Sequence, residues 1–116
     1  MESLELANQI VDIIDDRQGE DILILDLQEV TTFTDYFVIC TTGSKRQLSA
    51  LENAISEALK QGDTPRYALS VEGDPDSGWI LMDYNSVVVH LFSEDVRDYY
   101  RLEEFWKDAR VVARIQ

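Results

Sequence analysis

Short, nearly continuous apolar runs are the feature that most constrains how this chain can fold. Residues 21–27 (DILILDL) and 36–42 (YFVICTT) are two such runs, and residues 76–95 (DSGWILMDYNSVVVHLFSED) contain two more on either side of residues 84–86. Branched apolar runs of this length, bounded by polar residues and Gly, are typical of buried β-strands. The sequence therefore predicts two strands in its first half and a β-hairpin in its second half.

Helical spacing of apolar residues predicts three helices around these strands. The first has Ser3 as its predicted cap and is followed by Gly19. The second begins at Ser44, because Ser44 and Gln47 have the spacing of a capping box, in which each side chain bonds the other's backbone N–H. The apolar stripes of the three helices are Leu4, Leu6, Ala7, Ile10, Val11, Ile13 and Ile14; Leu48, Leu51, Ile55 and Leu59; and Val96, Tyr99, Tyr100, Leu102, Phe105, Trp106 and Ala109.

The order of elements predicts the fold class. Residues 66–73 (RYALSVEG) are predicted as a third main strand, and residues 110–116 (RVVARIQ) are too short to assign. The order is then helix, strand, strand, helix, strand, strand, strand, helix, which predicts an α/β (α+β) layer fold with a mixed β-sheet of about five strands covered by helices. Residues 1–116 have no internal repeat and are expected to form a single domain.

Acidic residues dominate the charge of the chain. Ten basic residues against 23 acidic ones give a net charge of −13 and a pI near 4.2. Because phosphate contacts dominate nucleic-acid affinity, this charge argues against direct nucleic-acid binding. The same charge would speed encounter with a basic protein patch, or it would serve solubility alone.

The predicted compartment is the cytoplasm. A single cysteine leaves no intramolecular disulfide and fits a reducing compartment. No apolar run approaches the ~18 residues of a membrane span, and the start of the chain, MESLELANQI, lacks the basic residues of a secretory signal. No membrane partner is expected.

The junction Gly43-Ser44 is the strongest candidate for nucleotide chemistry. A Gly between a strand and a helix N-terminus can hold phosphate, and nucleotidyltransferases use a similar corner. Their two-metal chemistry needs a nearby pair of carboxylates, but Glu52 and Glu57 are five residues apart and do not share a helix face. Capping by Ser44 and Gln47 is therefore the favoured role, and no catalytic residue, metal or cofactor is predicted.

The one histidine of the chain, His90, is predicted to be structural. Strand alternation places it beside Phe92 on one face of its strand. A metal site would need further ligands, and the chain has one Cys and no second His. Cys40 lies in a strand expected to be buried, where a thiol is normally inert.

Trp79 begins a strand in which Trp79, Leu81 and Asp83 share one face. The intervening residues and Tyr84 would lie on the opposite face. A core position is the commoner role for a tryptophan, but a face that combines Trp, Leu and a carboxylate is typical of a protein-binding patch. Both roles stay open on these residues alone.

Four segments of the sequence resemble the ribosomal silencing factor S family, also called Iojap. They are DYFVICT, TGSKRQ, Glu72-Gly73 and the block WILMDYNSVVVHLFSEDVRDYYRLEEFW, and the similarity runs in order from Asp21 to Ala109. It implies a non-enzymatic protein that docks on the large ribosomal subunit, chiefly on its fourteenth protein at the intersubunit face. Docking blocks joining of the small subunit and represses translation when nutrients are short. The implied fold is a nucleotidyltransferase-like core without the catalytic carboxylates.

The resemblance makes Trp79, Leu81, Asp83 and Tyr84 the expected partner-binding residues, with His90 structural. Family members often form homodimers, and the residues available for such an interface are Tyr99, Tyr100 and Trp106. The alternative function is a nucleotidyltransferase-like nucleotide-binding enzyme, favoured only by the fold analogy and the Gly43-Ser44 corner.

The match to the family pattern is uneven in the hairpin turn. Asn85-Ser86 stand where the family usually has Gly-Asp. Asn tolerates positive φ, so the turn is expected to persist, whereas Ser86 removes a carboxylate and any salt bridge from that position. The residues that match as they stand are Trp79, Asp83, His90, Tyr100, Leu102, Glu103 and Trp106.

Overall fold

The computed structural model describes residues 2–62 and 64–115, except for the side chain of Glu2. Its elements are, in chain order, α1 (Glu2–Asp16), β1 (Glu20–Asp26), β2 (Tyr36–Thr42), α2 (Lys45–Lys60), β3 (Ser70–Glu72), β4 (Trp79–Asp83), β5 (Val87–Ser93), α3 (Glu94–Tyr100), α4 (Leu102–Phe105) and β6 (Arg110–Ile115). Among the described residues, no helix is both long and apolar enough to span a membrane.

The strands form one mixed sheet in the order β3-β4-β5-β2-β1-β6. β2 and β5 run parallel, and each of the other neighbouring pairs is antiparallel. The predicted α/β class, a mixed sheet covered by helices, is confirmed, with six strands where about five were expected.

One face of the sheet, which we call the first face, packs against α1 and α2. All seven residues of β2 are buried, because a nearly continuous apolar strand at the centre of a sheet needs cover on both sides. The helices present the stripes predicted for them, and the buried side chains of α2 are Leu48, Leu51, Ile55 and Leu59.

The second face carries a smaller apolar cluster beneath α3, α4 and residues 106–109. Its buried members are Leu23, Leu25, Leu27, Phe37, Ile39, Val88, Phe92 and Ala109. Trp79, Leu81 and Trp106 pack against them while only half-buried. Cover on this side of the sheet is therefore less complete than on the first face.

The C-terminal part differs most from the sequence prediction. The unassigned tail forms β6, which pairs with β1 and carries the ion pairs Arg110–Asp26 (3.2 Å) and Arg114–Asp21 (3.1 Å). The single predicted last helix is two helices, because Arg101 has a φ of 49° and its left-handed backbone separates α3 from α4.

Two further predictions, for the cap of the first helix and for the length of the third main strand, were also wrong. Ser3 lies inside α1, which begins at Glu2, so Ser3 is not the helix cap. The third main strand, predicted over residues 66–73, shortens to β3, because β4 pairs with only three residues of this segment.

Candidate protein-docking surface

The strand β4 carries three of the predicted partner-binding residues on the second face. Trp79, Leu81 and Asp83 are half-buried, whereas Ile80 and Met82 between them are fully buried on the first face. Tyr84, predicted to bind a partner with them, is 8% exposed and belongs to the core under α1 and α2. Burial, with a contribution from Glu52, raises the pKa of its phenol. Tyr84 therefore does not share the surface of the other three residues.

Trp79 is held in a defined orientation by its neighbours. Its indole Nε1 donates a hydrogen bond to Nδ1 of His90 at 3.2 Å. Its ring centroid lies 4.9 Å from that of Phe92 and 4.9 Å from that of Tyr100. The preceding residue has to be glycine, because Gly78 has a φ of 78° and a Cβ there would stand 2.6 Å from Oγ of Ser93.

His90 lies directly beneath this surface and is only 3% exposed. It pairs with Leu81 on one side and with Ile39 on the other, and the Phe37 ring approaches it at 4.5 Å between centroids. Burial lowers the pKa of His90 to about 3. The imidazole is therefore neutral at pH 7, with Nδ1 accepting from Trp79 and the proton on Nε2.

The structural role of His90 stays a prediction, and its burial and hydrogen bonding are the observations that bear on it. No described residue accepts a hydrogen bond from its Nε2, so the imidazole has one partner, the Trp79 indole. A side chain this buried and this weakly basic does not present a ligand or a proton to solvent. What it does is fix the angle at which Trp79 meets the surface.

Aromatic rings continue from Trp79 across the second face, in what we name the aromatic band. Successive ring centroids along it lie 4.5 to 5.9 Å apart. Its members are, in order, Tyr99, Tyr100, Trp79, His90, Phe37 and Trp106. The rings of Phe33 and Phe105 flank Trp106, and both are exposed, as are Tyr99 and Tyr100. The exposed rings therefore lie at the two ends of the band, while His90 and Phe37 at its centre are buried. Exposed aromatic rings are candidates for an interaction site.

The sequence analysis did not predict Phe33 as a residue of this surface. It lies in the polar segment EVTTFTD, where one aromatic among Thr and Asp gives no periodic pattern. An isolated aromatic in a polar connection is the signal that could have indicated it, because such a residue has no core stripe to join.

The hairpin turn after β4 places Asp83 at the rim of this surface. Asn85 adopts a φ of 72°, the positive value that its amide side chain tolerates, and its N–H donates to Oδ1 of Asp83 at 2.7 Å. The turn therefore persists with Asn85-Ser86 in place of the usual residues. The carbonyl oxygen of Ser86 accepts hydrogen bonds from the N–H groups of Asp35 and Tyr36.

The Gly43-Ser44 corner is closed by its own side chains. Oγ of Ser44 accepts from the N–H of Gln47 at 3.1 Å, which is one half of the predicted capping box. Oε1 of Gln47 accepts from Gly43, one residue before the cap, and its Nε2 donates to the carbonyl of Gln18 at 3.1 Å. Gln47 therefore ties the start of α2 to the end of α1.

No metal-binding cluster is present in residues 2–62 and 64–115. At the Gly43-Ser44 corner, Nζ of Lys45 forms an ion pair with Oδ1 of Asp76 at 3.2 Å. Cys40 is buried, and desolvation raises the pKa of its thiol to about 12, so it is a protonated, unreactive side chain.

Arg97 is a further residue that sequence reasoning missed. It is buried where α3 meets the sheet, and its guanidinium donates to the carbonyl of Asp21 (2.6 Å), Oγ1 of Thr41 (2.8 Å) and Oε1 of Glu103 (3.3 Å). These bonds attach α3 and α4 to β1 and β2. Arg97 thus supports the part of the surface that carries Tyr100.

Comparisons with known proteins agree with this fold. The chain matches, over residues 1–116, the family described as ribosomal silencing factor during starvation. Ribosomal silencing factor RsfS of Bacillus subtilis (strain 168) is 38% identical over 82% of this chain and 79% of that protein. RsfS of Halalkalibacterium halodurans is 34% identical over 97% of this chain and 94% of that protein.

Among solved structures, the crystal structure of protein CV0518 from Chromobacterium violaceum is similar over 92% of this chain and 88% of that one. The TM-score is 0.85 and the sequence identity is 33%. The family match spans the whole chain, and the relatives cover most of their own length, so sequence and fold point to one assignment. The chain belongs to the ribosomal silencing factor RsfS family.

Proposed function

We propose that this protein is a ribosomal silencing factor that binds the large ribosomal subunit and blocks its association with the small subunit. The observation that carries the proposal is membership of a family described as ribosomal silencing factor during starvation, with relatives named ribosomal silencing factor RsfS. The proposal has two more specific parts. The contact on the large subunit is its fourteenth protein, at the intersubunit face. Binding represses translation when nutrients are limiting.

The proposed contact surface is the open end of the second face, with Trp79, Leu81 and Asp83 at its centre. An interface anchor is typically a large aromatic side chain held rigidly by its neighbours. Trp79 meets this description, because His90 and Phe92 fix its ring while leaving it half-buried. Leu81 adds an apolar shoulder, and Asp83 adds an anion for a basic partner.

The charge of the chain supports a basic protein as the partner. A net charge of −13 repels the phosphate backbone of ribosomal RNA and attracts a patch of Lys and Arg side chains. The proposal therefore directs the contact to ribosomal protein and involves no direct sequence-specific nucleic-acid binding. The site of action proposed is the cytoplasm, where translating ribosomes are found.

The proposed role is regulatory and not enzymatic. The relatives are named silencing factors, not transferases. In addition, the N–H of Gly43 and the hydroxyl oxygen of Ser44 are hydrogen-bonded to Gln47, and Lys45 is paired with Asp76. Purified protein is expected to show no metal-dependent nucleotide transfer or hydrolysis. Reproducible turnover that an acidic substitution in this chain abolished would overturn this part.

A homodimer is a further part of the proposal. Tyr99 and Tyr100 are exposed at one end of the aromatic band and could pack against a second copy. Trp106, predicted with them, packs instead against Phe37 and has less ring surface to contribute. Sedimentation equilibrium of the wild type and Tyr99→Ser tests the contact, which a concentration-independent monomer would exclude.

The decisive experiment is a sucrose gradient of tagged protein with purified ribosomal subunits. We expect co-sedimentation with free large subunits, none with small subunits, and a smaller 70S peak when the protein is added before the subunits are mixed. A matched run with Trp79→Ala should leave the protein at the top of the gradient. Co-sedimentation with small subunits, or an unchanged 70S peak at saturating protein, would exclude the proposed mechanism.

A further inference from the structure

The strand β3 forms an open edge of the sheet next to the proposed contact surface. Among the strands in residues 2–62 and 64–115 it pairs with β4 alone, and all three of its residues are exposed. In and just before it, the apolar side chains of Tyr67, Leu69 and Val71 are exposed at every second position. Val71 is opposite Met82 and so lies on the side of the first face, whereas Glu72, opposite Leu81, lies on the side of the Trp79 surface. Natural proteins usually blunt such edges with charges, bulges or cover, because an open apolar edge offers unpaired backbone groups to another chain.

The edge runs directly into a small apolar notch. Its cavity of about 190 Å³ is lined by Glu72, Gly73, Trp79 and Leu81. Gly73 has a φ of 85°, and a Cβ at this position would overlap the carbonyl oxygen of Trp79. The glycine therefore lets the end of β3 pass close against Trp79, so that the edge and the Trp79 surface are continuous.

Acidic side chains surround the edge and the notch. Glu72 lies on β3 itself, Asp74 follows it in the next turn, and Asp83 lies opposite Ser70 on β4. A segment that pairs with β3 would bring its own side chains within reach of these carboxylates. Charge complementarity therefore favours an incoming strand with Lys or Arg.

We propose that β3 is a strand-addition site, at which an extended basic segment of the partner protein pairs with residues 69–72 as a seventh strand and places an apolar side chain in the notch beside Trp79. The inference rests on the proposed function, because it names how the ribosomal partner is held. Main-chain hydrogen bonds would supply affinity, and the notch and carboxylates would supply specificity, as in other cases of strand addition.

The charge distribution argues against a second copy of this chain as the occupant. Two copies paired through β3 would meet with Glu72 and Asp74 on both sides. Like charges facing each other across paired strands are destabilising. A basic partner removes this repulsion.

Hydrogen–deuterium exchange on binding, combined with two matched substitutions, tests the proposal. Peptides covering residues 66–74 are followed in the wild type, alone and with purified large ribosomal subunits. Val71→Lys places a charge on the proposed edge, and Val111→Lys makes the same change on β6 at the opposite edge of the sheet. Val71 and Val111 are 44% and 54% exposed, so the two variants are matched in exposure and in added charge.

We expect exchange of the outward-facing amides of residues 69–72 to slow when large subunits bind, because strand addition engages these groups. Val71→Lys should lose about tenfold in affinity or more, equivalent to about 1.4 kcal/mol. Val111→Lys should bind like the wild type, and both variants should melt near the wild-type temperature. If Val71→Lys unfolds, hydrogen–deuterium exchange of the wild type with and without large subunits still tests the proposal.

Three results would overturn the inference, and they are distinguishable. Binding of wild type and both variants alike, with unchanged exchange in residues 66–74, would reject strand addition and leave the proposed function standing. Protection of this segment that grows with protein concentration in the absence of subunits would assign the edge to a second copy. Failure of the wild type to bind large subunits would reject the inference together with the proposed function.

Discussion

The two faces of the sheet differ in the kinds of side chain that pack on them. On the first face, mostly aliphatic side chains of α1, α2 and the strands are buried among one another. On the second face, a smaller apolar cluster is accompanied by a buried imidazole, a buried guanidinium and half-buried indoles. The short helices there leave aromatic rings exposed. Apolar burial accounts for stability on the first face, whereas the hydrogen-bonded aromatic arrangement on the second is suited to recognition.

The largest expected effect tests whether the first face carries the stability. Ile55→Ala removes a fully buried side chain of α2 and should lower the free energy of unfolding by about 3 kcal/mol. On the second face, Phe105→Ala removes a ring that is 77% exposed, so it should cost less than about 0.5 kcal/mol. Urea unfolding of both variants measures the difference, and equal losses would break the contrast between the faces.

The next effect tests whether the second face carries the binding. Trp79→Ala should stay folded by circular dichroism yet lose roughly 2 kcal/mol of affinity for large subunits, about thirtyfold. Trp79→Phe is the milder control, because it retains a ring against Phe92 while it loses the hydrogen bond to His90 and part of the ring area. If Trp79→Ala melts far below the parent, Trp79 is a core residue and its assignment as an anchor is wrong.

A smaller effect concerns the pH dependence of stability. The pKa of His90 is lowered from 6.5 to about 3 in the folded chain, so between these values the unfolded chain binds more protons. Stability due to this group is therefore present above pH 6.5 and declines as the pH falls. Between pH 6.5 and 5.5, where most carboxylates remain ionised, we expect a loss of about 1 kcal/mol.

His90→Gln isolates that contribution. The glutamine oxygen can still accept a hydrogen bond from Trp79, but the side chain does not titrate. Urea unfolding at pH 6.5 and 5.5 should show a smaller change in the variant than in the wild type. Identical changes in the two proteins would mean that His90 is not buried in its neutral form.

The smallest effect concerns the rate of association. Asp83→Asn should slow binding to large subunits by about two- to threefold at low salt, and the difference should shrink as added salt screens the charge. Glu5→Gln, an exposed position on α1, is the matched control, because it removes one charge from the opposite side of the sheet. Stopped-flow on-rates that do not depend on salt for any of these proteins would leave the acidity as a solubility property alone.

Local patterns in the sequence were sufficient for the parts that neighbouring residues determine. The runs that became β1 and β2, the stripes of α1 and α2, the hydrogen bond from the N–H of Gln47 to Ser44 and the alternation along β4 all depend on residues within a few positions of one another. Periodicity and capping are readable there because the backbone geometry of one element relates its residues directly.

Only the tertiary structure decided the parts that depend on distant residues. β6 exists because β1 offers it an edge more than 80 positions earlier in the chain, and Arg110 and Arg114 find carboxylates there. The aromatic contact between Phe33 and Trp106 likewise joins residues far apart in the chain. The bond between Trp79 and His90 spans only 11 positions of the hairpin, but the pairing register of β4 and β5 decides which side chains meet there. Strand pairing and side-chain packing in three dimensions therefore had to supply these contacts.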